Sequence, residues 1–258
     1  MAARGGRSGE LVLYGEEGWT SPYVFSAFVA LREKGIPFTM KLVSLERQEH
    51  QRPEYRDASI TGRVPALRHG DFWLAESSAI DEYLEEAFPP PRYPRLYPAD
   101  PRARARVRMV QALVRSDFAP VRAERPTSQL FQGDTPGPLS REGRASAERL
   151  LRIAAALLSD GDAHVAGRFT LADADLSLML MRLVHAGDPV PAHLAAWARR
   201  IWERPSIRTW LANTRHADVS AGAAASSRSA RPRRAAPARA ARPPASSRGA
   251  RRRPAPRR

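Results

Sequence analysis

The 258-residue chain has no cysteine, which excludes disulfides, Cys-ligated zinc, a CxxC redox centre and a cysteine nucleophile. Its net charge of +15 sits mostly at one end: residues 217–258 hold twelve Arg against Asp218 alone, which is +11 and leaves +4 for the rest. No apolar run approaches the ~20 residues that cross a bilayer, since the longest, around Leu176–Val184, is broken by Ser177 and Arg182. Residues 1–9 are Gly/Arg-rich, read as flexible, and lack the apolar core of a secretory signal, so a cytoplasmic protein without membrane contact is expected.

Leu11 to Tyr14 reads as a first strand, apolar throughout as a buried parallel strand is. Ser21-Pro22 then opens a helix to Lys34, with Ser as N-cap, Pro in the first turn and Gly35 as the stop. Phe38 to Leu42 is a second strand, so the opening is a right-handed βαβ unit. Ser44 to Gly62 is a polar connecting segment. After it, Pro65 opens a short strand and restrains Val64 to an extended shape. A turn at His69-Gly70-Asp71, a strand Phe72-Trp73-Leu74 and a helix from Glu76 to about Ala87 complete a ββα unit. An extended edge at Val64-Pro65 thereby meets a helix N-terminus carrying a carboxylate and a hydroxyl. That arrangement suits a small peptide with a charged amine and a carboxylate.

The prolines between Phe88 and Pro98 forbid helix or central strand and mark residues 89–99 as a linker. The pattern then turns helical over 100–216. Ala103, Val107, Val110, Val114 and Phe118 recur at helical spacing, while Arg102, Arg104, Arg106 and Arg108 scatter around the helix as solvating charge. Ser140 to Leu158 is a long amphipathic helix. Thr170-Leu171-Ala172-Asp173 opens another as a capping box with Asp in the fourth position, and that helix is apolar nearly all round, as at the centre of a bundle. Shorter helices cover Ala192–Glu203 and Ser206–Asn213. Residues 217–258, built from Ala, Arg, Pro and Ser, hold too little apolar bulk to order and are read as a disordered tail.

The ordered set of features from Leu11 to Thr214 resembles the glutathione transferase family: a strand followed by the Ser21-Pro22-Tyr23 helix start, the Val64-Pro65 turn, Glu76-Ser77 eleven residues after that proline, the Pro-rich linker and the Thr-x-x-Asp helix. The segments Arg115-Ser116-Asp117 and Glu124-Arg125-Pro126-Thr127 are most similar to a bacterial branch of serine-type enzymes, with a theta-like binding pattern. The resemblance implies an α/β thioredoxin-like domain over 10–88 and an all-α bundle domain over 100–216, paired as a homodimer. It implies glutathione as cosubstrate, joined to a small electrophile or used to reduce a peroxide.

Glutathione's thiol must ionise to act as a nucleophile. Lowering its pKa by ~2 units from ~8.5 corresponds to ~2.7 kcal/mol. On the resemblance Ser21, at a helix N-terminus, donates the hydrogen bond that does this. Its bland alternative is capping its own helix through the N–H near Val24. Tyr14, at the end of the first strand, is the rival activator or else packing, and Thr20 and Ser26 are weaker choices. The resemblance gives Val64 a cis bond to Pro65 and the backbone contact to the cysteinyl unit. It gives Glu76 the γ-glutamyl ammonium, Ser77 that unit's carboxylate, and Arg63 with His50 the glycine carboxylate. Trp19, Phe118 and Arg122 are expected near the electrophile.

Two other readings stand beside this one. A non-catalytic member of the fold could bind through the basic tail, which offers salt-sensitive attraction to nucleic acid or acidic surfaces but has no aromatics to stack on bases. With 40 Arg against two Lys in the chain, Arg richness is also background composition, and nucleic-acid contact is not expected. A zeta-type isomerase, using glutathione on maleyl substrates, would show Ser-Ser-Cys-Ser where this chain reads Trp19-Thr20-Ser21-Pro22.

Overall fold

Ser21 and Pro22 set the first helix where the sequence predicts it. In the computed structural model, which describes residues 9–133, 136–158, 161 and 163–214, α1 spans Pro22–Glu33, with the Ser21 hydroxyl accepting from the Val24 N–H. The tail at 217–258 and all but the last of residues 1–9 lie outside the described residues. Helix α1 joins β1 (Leu11–Glu16) to the parallel strand β2 (Thr39–Val43), and Gly35 takes a φ of +65° at the turn out of the helix. Strands β3 (Ala66–His69) and β4 (Phe72–Ala75) add antiparallel, giving the order β2-β1-β3-β4. Alternation along β1 sends Leu11 and Leu13 into the main core with α1 and α3 (Ser77–Ala87), and Tyr14 into a smaller cluster with Val43, Tyr55 and Trp73.

That smaller cluster is covered by α2 (Pro53–Ser59), which follows a 3-10 turn at Glu49–Gln51. The sequence predicts only a polar connection here. Among the residues of α2 just Tyr55 and Ser59 are buried, so it carries no apolar period to read.

The second domain begins at α4 (Pro101–Ser116), capped by Asp100. Its predicted continuation to Phe118 fails: Asp117 ends the helix and Phe118 takes a φ of +57° ahead of Pro120. Short helices α5 (Ala119–Glu124) and α6 (Thr127–Gln132) follow, then α7 (Arg141–Leu157), α8 (Leu171–Ala186), α9 (Ala192–Trp202) and a helical segment at 205–214. Helix α8 is buried along nearly its whole length and packs against α1, α4, α6, α7 and α9. Asp173 is structural, as expected of a capping box: its carboxylate accepts from the N–H groups of Thr170 at 2.7 Å and Val165 at 2.8 Å.

The two domains share one hydrophobic core, and polar anchors cross between them. Within the first domain, fully buried Lys34 pairs with Glu85 at 2.9 Å and donates to the carbonyls of Phe88 and of Pro94 in the linker. Glu33 meets Arg204 at 2.6 Å. Arg104 and Arg108 of α4 both bond Glu82 of α3, so half of the arginines read as solvating charge in fact join the domains. Arg102 and Arg106 are exposed as expected.

Candidate functional site

The segment before β3 stays outside the sheet ladders, because β3 begins only at Ala66. The Val64–Pro65 bond is cis, and the Tyr55 hydroxyl holds the Arg63 carbonyl at 2.7 Å. Across from it, Glu76 links β4 to α3 with φ +68° and ψ 115°, a region that non-glycine residues enter only when the surroundings force them. Ser77 is the first residue of α3 and is buried. Arg63, Val64, Pro65, Glu76 and Ser77 therefore line one cleft of about 250 Å³, together with Tyr23, Thr61, Ser78 and Arg115.

Ser21 and His50 are not among the residues lining that cleft. His50 lies in the 3-10 turn that abuts Gly62, whose carbonyl accepts from Gln51 at 3.5 Å, so the turn forms the rim beside Arg63. Ser21 stands at the N-terminus of α1, two residues before Tyr23. Its oxygen accepts from Val24 N–H at 3.3 Å, the capping role foreseen as the bland alternative. Accepting there leaves the hydroxyl proton available to donate, so capping and thiolate stabilisation are compatible.

Glu16 fixes this corner, a role that no motif around it marks. Its buried carboxylate accepts from the backbone N–H groups of Thr20 and of Ser21, the latter at 2.5 Å, while its second oxygen has no protein partner among the described residues. Burial pushes this carboxyl above the usual range, against the pull of those N–H groups. The loop from Glu17 to Ser21 is thus tied to the end of β1.

Other expectations change. Tyr14 stacks on Trp73 at 4.8 Å and meets Tyr55 edge-on, in the small cluster covered by α2. Ser26 is buried, donating to Asp81 at 3.1 Å and accepting from Arg115 at 3.0 Å. Trp19 and Phe118 are core residues, Trp19 against Phe28 and Trp210. Arg122 does line a pocket beside the cleft, with Pro22, Tyr23, Arg115, Asp175 and Arg182.

Tyr23 and Arg115 line both spaces, and the sequence reading assigned neither a role. Arg115 reaches Asp81 at 3.3 Å and Asp175 at 3.0 Å, while Gln111 donates to both carboxylates. Burial, and then the neighbouring Asp175, push the Asp81 carboxyl up to about 7 in spite of Arg115. The available signal was Gln111 and Arg115 interrupting the apolar stripe of α4.

A thioredoxin-like sheet with a cis-proline edge is joined here to an all-α bundle, with a pocket beside that edge. Residues 20–87 match the model of the glutathione S-transferase N-terminal domain, and residues 100–216 that of the C-terminal domain. The chain belongs to the glutathione S-transferase family. A crystal structure of a glutathione transferase homologue from Burkholderia gl BGR1, with bound glutathione, is 36% identical, with a TM-score of 0.66, covering 81% of this chain and 99% of that one. A maleylpyruvate isomerase of Ralstonia sp is 36% identical over 107 residues, 42% of this chain and 49% of that protein. Human glutathione S-transferase theta-2 is 37% identical over 82 residues, 32% of this chain and 33% of that protein. The chain thus matches half or less of the length of these curated relatives. Among the described residues no helix is long and apolar enough to cross a membrane.

Proposed function

We propose that the protein is a glutathione transferase in which the Ser21 hydroxyl stabilises the glutathione thiolate for attack on a small electrophile. The observation that carries this reading is the meeting of Arg63, Val64, Pro65, Glu76 and Ser77 in one cleft, on either side of the β3–β4 hairpin. Val64, outside the ladders, has its backbone free to extend a peptide as an added strand does. Glu76 is the acceptor for the γ-glutamyl ammonium. Ser77 and the α3 N-terminus hold that unit's carboxylate, since helix N-terminal N–H groups favour anions. Arg63, with His50 on the rim, takes the glycine carboxylate.

Chemically, the donor at Ser21 lowers the thiol's pKa, and the resulting thiolate forms the bond to carbon as the leaving group departs. The resemblance extends to a homodimer, which light scattering tests. Retention on immobilised glutathione, then conjugation assays on wild type, Ser21→Ala and Tyr14→Phe, tests the function itself. Absence of both binding and turnover in the wild type defeats the reading; loss of turnover in Tyr14→Phe alone moves the activating role to Tyr14.

A second reading, glutathione-dependent cis–trans isomerisation, is favoured by the match to the Ralstonia isomerase. Turnover of a maleyl compound without net consumption of glutathione distinguishes it.

A further inference from the structure

We infer that the pocket beside the cleft takes the carboxylate of an acidic electrophile. The inference rests on the cleft being the glutathione site and adds the class of second substrate.

Three arginines face this pocket, and they are not equally neutralised. Arg115 is matched by Asp175 and Asp81. Arg182 of α8 is 4% exposed, yet only its Nη1 has a protein acceptor, the Arg125 carbonyl at 2.6 Å, and its buried Nε has none among the described residues. No carboxylate lies within ion-pair distance of Arg182 or Arg122 among the described residues. Arg122 instead donates to the carbonyls of Val114, Ser116 and Asp117 at the end of α4. The one carboxylate in the lining, Asp175, is held by Arg115 and Gln111 at 3.0 Å each.

A buried guanidinium without a counter-ion is costly, and a second one nearby adds repulsion. Burial, followed by the charge of Arg122, pushes Arg182 down to about 10, which still leaves it protonated at neutral pH. A bound anion relieves both costs. The space at the arginines is about 20 Å³, room for one or two water-sized groups, which admits a carboxylate but not a ring. Val114, Leu178 and Met179 supply apolar walls, and Tyr23 and Arg115 line both this space and the cleft. A carboxylate anchored here leaves the rest of an electrophile to extend toward the thiol.

The test is equilibrium binding, independent of turnover. Protein saturated with S-methylglutathione is titrated with 3,5-dinitrobenzoate and with its methyl ester in low-salt buffer at neutral pH. The acid is expected to bind about tenfold tighter than the ester, the scale of a charge-assisted hydrogen bond. Arg182→Gln is expected to abolish that preference. An acid that binds no tighter than the ester to wild type overturns the proposal, as does a variant that weakens both ligands equally. Should Arg182→Gln fail to fold, the wild-type comparison decides alone. Failure of S-methylglutathione to bind would instead defeat the proposed function, and the titration repeated without it still tests the pocket's anion preference.

Discussion

Asp81 of α3 and Asp175 of α8 belong to different domains and share, among the described residues, a single counter-ion, Arg115. Two buried carboxylates against one guanidinium leave an excess of negative charge in a water-poor space. The system resolves this by favouring a proton on Asp81, whose surroundings are the more buried.

Stability should therefore fall as pH rises. Asp81 is raised from 3.8 to about 7, so its contribution is present below pH 3.8 and is lost as pH rises through about 7. Glu16, raised by burial, acts with the same sign. Urea unfolding between pH 5 and 8 should show a decline, at most about 1.4 kcal/mol per pH unit for each group. Asp81→Asn should flatten it; parallel slopes for wild type and variant would count against the assignment.

Removing the Ser21 hydroxyl has two separable effects. Ser21→Ala loses the cap to Val24, about 1 kcal/mol of stability, and the thiolate donor, about 10- to 100-fold in kcat/KM. Ser21→Gly restores most of the capping without the hydroxyl. Equal activity losses in the two variants, with the bound thiol's pKa raised in both by ultraviolet titration, are the expected result. Recovery of activity in the glycine variant would reduce Ser21 to a cap.

Glu76→Gln removes the charge opposite the glutathione ammonium while keeping the shape. The KM for glutathione should rise about tenfold with a smaller change in kcat. An unchanged KM would place the ammonium elsewhere.

Lys34→Met leaves Glu85 buried without its partner and should cost about 3 kcal/mol or more. The double variant Lys34→Met/Glu85→Gln should recover part of the loss. Denaturant midpoints of the four proteins give the coupling, and simple additivity would show that the pair contributes nothing of its own.

Much of this molecule was legible because local chemistry sufficed. Ser21-Pro22 dictates a helix start, Thr170 with Asp173 a capping box, and the prolines after Phe88 a break. The cleft was readable for a similar reason: Val64-Pro65 and Glu76-Ser77 are joined by one hairpin, so short connections bring them together. Glu16 and Arg115 were not, because their meaning depends on partners that only the folded chain supplies. The helices α2, α5 and α6, six or seven residues each, are too short for a hydrophobic period to be read.

Trp210, from the last described helical segment, is fully buried against Trp19, Phe25 and Phe28 of the first domain. As the chain leaves the ribosome, α1 emerges early with these aromatic surfaces uncovered, and their cover is among the last of the described residues to be made. The nascent first domain thus waits, apolar side open, for the second domain to be translated.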